Sequence, residues 1–482
     1  MNFSSTIKYS GISSYSPNAN YLAIAKSSSL IIYETEELKI ISKFIFNSPI
    51  SQIEWSPDSA LVLIAFYKSG IVEIKAIANS EWTCTINESM SGVSYARWTP
   101  DSRKVLIIND FNVRMSIWSL VDKSTVYING PKFGDKGIAF SSNGYFMALA
   151  ERKDNKDFIG VYFTGDFSLV SHFVADTYDL SDVFWSKDDT SIVVVDSELD
   201  CRIAVYSPTG NLIEKHEPYT GALGARISSF SPNGRYFAVG FNDNKVRLYN
   251  SITWKQISEL NHNMTTVTAE SLTNVFREED LGGKNKYSKY VECTLPYKFS
   301  LSNNNSIVKG IGGAITDIEW SYDSNYLATR SEALPNMVFI WKVNALSLYT
   351  IIIQTKGIKE FHWSPKENML LIVTENAKLY TFTLSNVYII ELVSDLNNNF
   401  GATSVIWNSD GRSFIVSDKK QMIIGHPELG DIVGEEEKEG EEEEHEEMEN
   451  EPKGEIAIQE NNSNNESNNH DEKDDDIEEG DE

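Results

Sequence analysis

Apolar residues in this chain come in short runs, and the runs recur. Ile53-Glu54-Trp55 alternates apolar and polar, as in a strand with one covered face. Ser56-Pro57-Asp58-Ser59 then reads as a turn, because proline presets φ and an Asp side chain can bond the backbone beyond it. Leu61 to Phe66 is continuously apolar, as in a strand buried on both faces. Lys68-Ser69-Gly70 is a second turn, and Ile71-Val72-Glu73-Ile74 a third strand. Ser229-Phe230, Ser231-Pro232-Asn233-Gly234, Tyr236 to Gly240, Asn242-Asp243-Asn244 and Val246 to Tyr249 follow the same order, with a fourth strand near Trp254 to Leu260.

The aromatic-Ser-Pro-Asp turn and its relatives occur nine times, at Tyr15, Trp55, Trp98, Phe140, Trp185, Phe230, Trp320, Trp363 and Trp407. The intervals are 40, 43, 42, 45, 45, 90, 43 and 44 residues. Four short strands every ~40–45 residues predict the blade of a β-propeller, so the fold class is all-β. A blade cannot bury two apolar faces alone and must stack on neighbours in a closed ring. The last copy, from Ser404 to about Gly425, has room for three strands, and Phe3 to Tyr9 precede the first turn. The N-terminal segment is therefore expected to supply the strand that closes the last blade. Nine blades is the simplest count; a seven- or eight-bladed ring with extra strands, or two smaller rings, fits the same spacing.

The doubled interval holds an insertion at about 262–312. Its first half is charged (Arg277-Glu278-Glu279-Asp280) and shows no blade pattern. Val291, Cys293, Leu295, Tyr297, Phe299 and Leu301 then alternate with polar residues or proline, and Pro296 makes this an edge strand. A long loop carrying one docked strand is expected, in preference to a degenerate tenth blade. Residues 1–433 form the propeller and 434–482 a tail. The tail changes the meaning of the composition. The chain carries a formal charge of −28, yet Glu435 to Glu482 alone holds 24 acids against 3 lysines. The remaining 46 acids and 39 bases make the folded part only mildly acidic, which disfavours a nucleic-acid surface. The tail is too polar to offset the entropy of folding and is expected to be disordered, as a solubilising segment or a contact for a basic partner.

Candidate chemistry is sparse. Cys84, Cys201 and Cys293 offer neither zinc spacing nor a disulfide framework, which fits a reducing compartment. No secretory h-region opens the chain, and no apolar run approaches the ~20 residues of a membrane span. There is no GxSxG, HExxH or EF-hand pattern. Gly283-Lys284 lacks both the leading glycine, replaced by Glu278, and the following Ser or Thr of a phosphate loop. No catalytic residue, cofactor or metal ligand is assigned, and His362 is read as structural or as exposed on its strand. Two segments stand out as candidate protein contacts. Between the second and third strands of blade four, Arg152, Lys153, Asp154 and Lys156 lie in a dense zwitterionic loop where a tight turn would suffice. Arg330, Pro335 and Asn336 occupy the matching place in blade seven, so both are expected on one side of the ring.

Several stretches carry a more specific resemblance. Gln52 to Ser59 with Tyr67 to Gly70, Met147 to Arg152 with Lys156-Asp157, and Phe237 to Gly240 with Lys245-Val246-Arg247 and Thr253-Trp254-Lys255 belong to it. So does Tyr326 to Arg330 with Pro335-Asn336. The period and turns look like WD-repeat blades, with Trp118-Ser119 and Trp341-Lys342 where a Trp-Asp would stand. These stretches together are similar to the centrosomal WD-repeat proteins of the WRAP kind, from Met1 to about Gly425. That resemblance implies a non-catalytic scaffold at the centrosome, spindle pole or basal body. It would bind a coiled-coil anchoring protein, and in some lineages a minus-end-directed kinesin. The assembly would anchor microtubule minus ends and support spindle organisation and cilium assembly. On architecture alone, a ribosome-associated propeller of the translation-initiation type is the alternative.

Overall fold

Each copy of the repeat folds as an antiparallel sheet. In blade two the strands are Gln52–Trp55, Leu61–Phe66, Ile71–Ala76 and Thr83–Asn87, hydrogen-bonded in chain order. The computed structural model describes residues 1–427 except 80, 222, 264–265, 269–272, 281–287, 300–312 and 393–399. Residues 1–428 form one compact unit and 429–482 a second; the predicted tail lies outside the described residues. Nine blade sheets are present among the described residues. The first strands of neighbouring blades contact one another, so they line the centre and the fourth strands lie on the rim.

Nine apolar clusters, one for each gap between blades, show that the nine sheets form a single closed ring. The ninth cluster joins Leu22 and Ile24 of blade one to Ile415, Met422 and Ile424 of blade nine. Asn2–Phe3 and Ile7–Lys8 pair antiparallel with Gln421–His426 and complete blade nine, as expected from its missing strand. Phe3 meets Phe414 edge-on at this seam, at a centroid distance of 6.2 Å. The second strands are largely apolar because both their faces are covered: in blade two Val62, Leu63 and Ile64 are fully buried. Each such aliphatic side chain contributes roughly 1.5–3 kcal/mol of transfer free energy.

The repeated turn has a common anatomy. Ser56 Oγ donates to Asp58 Oδ1 at 2.6 Å and accepts from Leu61 N–H at 2.9 Å. The same pair of bonds forms at Ser16, Thr99, Ser141, Ser186, Ser231 and Ser321. The residue three places after the serine or threonine has positive φ; it is Gly at 144 and 234 but Ser at 59, 102 and 324. Those serines are buried, and each reaches the preceding blade. Ser59, Ser102 and Ser324 Oγ accept from Asn18, Asp58 and Asn233 N–H, each at 3.0 Å. The cost of a left-handed conformation is thus offset by a latch between turns. The aromatic before the turn packs between blades: Trp55, Trp98, Trp320 and Trp407 donate their indole N–H to the first strand of the preceding blade.

The insertion departs from the expected loop. Its charged first half is the strand Asn274–Asp280, which pairs parallel with Ser347–Ile353 and antiparallel with Ser288–Glu292. Blade seven thereby has six strands. The alternating stretch is only partly in strands: Tyr297–Lys298 pairs with Thr266–Val267, and Leu301 lies outside the described residues. Its apolar side still packs as the alternation implied, with Cys293, Leu295, Tyr297 and Phe299 against the cluster between blades six and seven. A charged strand forms here because Glu278 is buried with its charge met. It accepts from Thr355 N–H at 2.9 Å, Thr355 Oγ1 at 2.7 Å and Tyr380 OH at 2.9 Å, with Lys378 Nζ at 3.7 Å.

The latch makes a test. Ser324→Ala leaves Asn233 N–H without its acceptor and keeps a Cβ at φ 61°. A loss of about 1–2 kcal/mol is expected in denaturant unfolding. Ser324→Gly relieves the backbone and should lose less; equal stability of both variants with the parent would show that the latch contributes nothing.

Candidate functional site

Antiparallel blades place their connections on two faces. Links between first and second strands, and between third and fourth, share one. Links between second and third strands, and from one blade to the next, share the other, called here the loop face. Both sequence-predicted segments lie on the loop face; in blade seven a connection over 332–336 joins Tyr326–Ser331 to Met337–Lys342, whereas blade four lacks the long loop expected. In blade four the strands Phe146–Lys153 and Lys156–Phe163 continue into it, with Lys153 paired to Lys156. The hairpin closes on two left-handed residues, Asp154 and Asn155, which match the twist of the flanking strands. Lys153, Asp154 and Lys156 are exposed at its tip.

Arg152 is held by its own blade and the next: its Nη1 reaches Asp179 Oδ1 at 2.5 Å and Asp157 Oδ1 at 3.4 Å. Lys132 Nζ completes the group, 3.0 Å from buried Asp157 and 2.7 Å from Asp179. The two cations hold the Asp179 carboxyl below its ordinary range, Lys132 most. In blade seven, Arg330 Nε donates to Asp317 Oδ2 at 2.6 Å, and its Nη1 to the Ile358 carbonyl. Asn336 Nδ2 donates to the Gln354 carbonyl at 2.9 Å, and the carbonyl of exposed Pro335 accepts from Ile358 N–H at 2.8 Å. The two segments share a face without touching each other, and much of their polarity is spent within the ring.

The structure adds residues that the sequence did not single out. Met90, Phe111 and Val113 are 99%, 95% and 65% exposed and line one recess of about 500 Å³ between blades two and three. Phe111 and Asn112 both have positive φ, a conformation a bulky side chain rarely adopts. Asn112 Nδ2 anchors this loop to the Lys132 carbonyl at 3.0 Å, and the 129–138 link in turn bonds Ala150 and Arg152 of the blade-four hairpin. Recess and hairpin are therefore one continuous surface. The available signal was an aromatic inside the Asn109-Asp110-Phe111-Asn112 turn, where turn formers alone would serve.

A second group lines the ring centre. His362 sits between two carboxylates, with Nδ1 2.8 Å from Glu319 and Nε2 3.2 Å from Glu360. It is half-buried, and a cleft of about 540 Å³ lies beside it. Burial opposes its charge, but the bonds to Glu319 and Glu360 prevail and lift the imidazole to about 10. Burial raises the Glu319 carboxyl, whereas bonds from His362, Ser404 and Val405 overcome burial and lower that of Glu360. Across the ring, burial lifts Glu54 to about 7 despite Arg97. The His362 group is an ion-pair chain joining blades seven and eight. Among the described residues no cluster of three His, Cys, Asp or Glu side chains is placed to hold a metal ion, and no helix is long and apolar enough to cross a membrane.

An imidazole raised above its unfolded value contributes stability that is fully present below about pH 6.5 and is lost as pH climbs through about 10. The gap in melting temperature between the parent and His362→Gln should therefore narrow from pH 6.5 to pH 10. A gap independent of pH would mean that His362 acts by packing alone.

Comparison with known proteins follows this geometry. The model of the WD domain, G-beta repeat, matches residues 219–250, in blade six. WD repeat-containing protein WRAP73 of Mus musculus is 29% identical over 458 residues, covering 90% of this chain and 97% of the relative. The uncharacterized WD repeat-containing protein C32H8.09 of Schizosaccharomyces pombe is 21% identical over 73% of this chain and 74% of its own length. The crystallised C-terminal WD40 domain of Sif2 aligns over 88% of this chain and 98% of its own with a TM-score of 0.50 and 11% identity, a likeness of fold alone.

Proposed function

We propose that this WD40-repeat protein, a homologue of WRAP73, is a protein-binding scaffold of a microtubule-organising centre. The propeller is a rigid ring that presents partners at fixed relative positions, and WD-repeat propellers are typically non-catalytic. The observation that carries the reading is the recess of Met90, Phe111 and Val113. Single exposed apolar residues are ordinary, but three around one recess, with a strained aromatic among them, mark a contact surface. It suits an amphipathic helix laying its apolar stripe into a groove, as a coiled-coil partner would offer.

In this reading Lys153, Asp154 and Lys156 flank the helix, with Arg152 fixing the hairpin. Arg330, Pro335 and Asn336 form a second contact on the same face, open to a further partner such as a minus-end-directed kinesin. The protein then acts at the centrosome, spindle pole or basal body, where the assembly anchors microtubule minus ends and supports cilium formation.

Phe111→Asp combined with Met90→Asp should abolish co-purification of the coiled-coil partner from dividing or ciliated cells. Both side chains are solvent-exposed, so stability should change by no more than about 0.5 kcal/mol. Lys153→Glu with Lys156→Glu should weaken capture. Undiminished capture by both doubles, or a tagged protein diffuse beside a basal-body marker, would overturn the reading.

A further inference from the structure

The loop face is not uniform in charge. On blades eight and nine it carries Lys356, Lys359, Lys419 and Lys420, all exposed, in a chain whose folded part is net acidic. They come from two connections. Lys356 and Lys359 lie in the link between Ser347–Ile353 and Glu360–Trp363, and Lys419 and Lys420 in the turn between Phe414–Ser417 and Gln421–His426. Glu375, in the intervening turn of blade eight, reports their proximity. Lys359 Nζ is 2.7 Å from its carboxylate, and Lys359, Lys356 and Lys419 together hold that carboxyl below its ordinary range. Lys356, Lys419 and Lys420 make no ion pair among the described residues. One carboxylate thus faces three ammonium groups, with Lys420 next to Lys419 in the same turn.

A recess of about 530 Å³ opens beside Lys419, between blade nine and the link into blade one. Its walls include Ser13, then Ser10, Thr403 and Ser404, whose hydroxyls donate to the Ala25 carbonyl at 3.0 Å, the Ser417 carbonyl at 3.3 Å and the Glu360 carboxylate, and Gly11, which leaves the backbone bare. Asp418 also lines it, but its Oδ1 is turned into its own loop, accepting from Lys420 and Gln421 N–H at 2.7 Å each. Tyr9 offers no free hydroxyl, since it donates to the Asp418 carbonyl at 2.9 Å.

We propose that this lysine cluster and its hydroxyl-lined recess are a docking site for a short glutamate-rich segment of another protein. Flexible ammonium groups beside a polar slot fit successive carboxylates on an extended peptide. The footprint is small and carries no stack of aromatic rings, and the rest of the ring is mildly acidic, so a nucleic acid fits it poorly. Pro427, where the described chain ends, follows a strand that runs to the opposite face. The occupant assigned is a segment of a partner, and binding of the peptide only after removal of residues 428–482 would assign the site to the chain's own acidic tail instead. The site stands apart from the recess on blades two and three and does not depend on the proposed function.

The test is fluorescence anisotropy of a fluorescein-labelled deca-glutamate peptide titrated with the full chain. Binding is expected at about 50 mM salt and should weaken strongly by about 300 mM, where screening is several-fold shorter in range. Lys419→Glu with Lys420→Glu should lower affinity at least about tenfold, and Lys356→Glu with Lys359→Glu likewise. Lys153→Glu with Lys156→Glu, and the Phe111→Asp/Met90→Asp double, should leave it unchanged. If a reversal variant melts early, Lys419→Gln with Lys420→Gln replaces it. No binding at low salt, binding indifferent to these lysines, or equal affinity for single-stranded DNA of the same charge would each overturn the proposal.

Discussion

Everything in this molecule depends on sheets that must be covered on both sides. A four-stranded blade with apolar faces front and back is unstable in water, and the same is true of any open stack of such blades at its two ends. The ring resolves this by making each blade the cover of the next, with one apolar cluster in every gap. The serine latches between turns act on the same joints from the polar side. They fix the angle at which blades meet, which apolar packing alone leaves loose. The loops on the opposite face inherit that rigidity and need little structure of their own. This is why side chains as exposed as Met90 and Phe111 can hold a defined arrangement.

The fold was legible because its signature residues are chosen by local backbone chemistry. In seven of the nine turns the serine or threonine bonds both ways and the Asp or Asn two places later accepts its proton, so even copies that lost proline kept this pair: Ser141 with Asn143, and Ser186 with Asp188. The closing strand was legible by counting, since blade nine was one strand short. Glu278 was not, because a buried carboxylate looks in sequence like a solvated one. What buries it is Thr355 and Tyr380, 77 and 102 residues away. The blade-four hairpin misled for the opposite reason. Its run of charges suggested a loop, whereas Arg152 and Asp157 lie in two paired strands and are met by Asp179 and Lys132 from neighbouring links. The lysines of blades eight and nine and the residues around Phe111 become neighbours only through topology, so no local pattern announces them.

The insertion shows how a repeat architecture accepts new material. It adds strands on the outside of blade seven, where a rim edge was free, and leaves the ring's inner joints alone. Tyr290 packs against the cluster between blades seven and eight, and Lys378 of blade eight reaches both Ser288 and Glu278. The added strands therefore brace two blades from outside. The His362 chain ties the same two blades from inside, so this sector is fastened at both radii.

The seam has a consequence for how the protein is made. Asn2–Phe3 and Ile7–Lys8 leave the ribosome before any of the nine blades is complete, yet their partner, Gln421–His426, belongs to the ninth. During synthesis the segment from Asn2 to Lys8 must wait unpaired while eight blades assemble behind it, each stacking on the one before. Blade one meanwhile shows a bare face, with Leu22 and Ile24 uncovered until blade nine arrives. The growing chain thus exposes one unpaired strand and one apolar surface until blade nine is made, a stretch in which a chaperone that shields both would decide the yield.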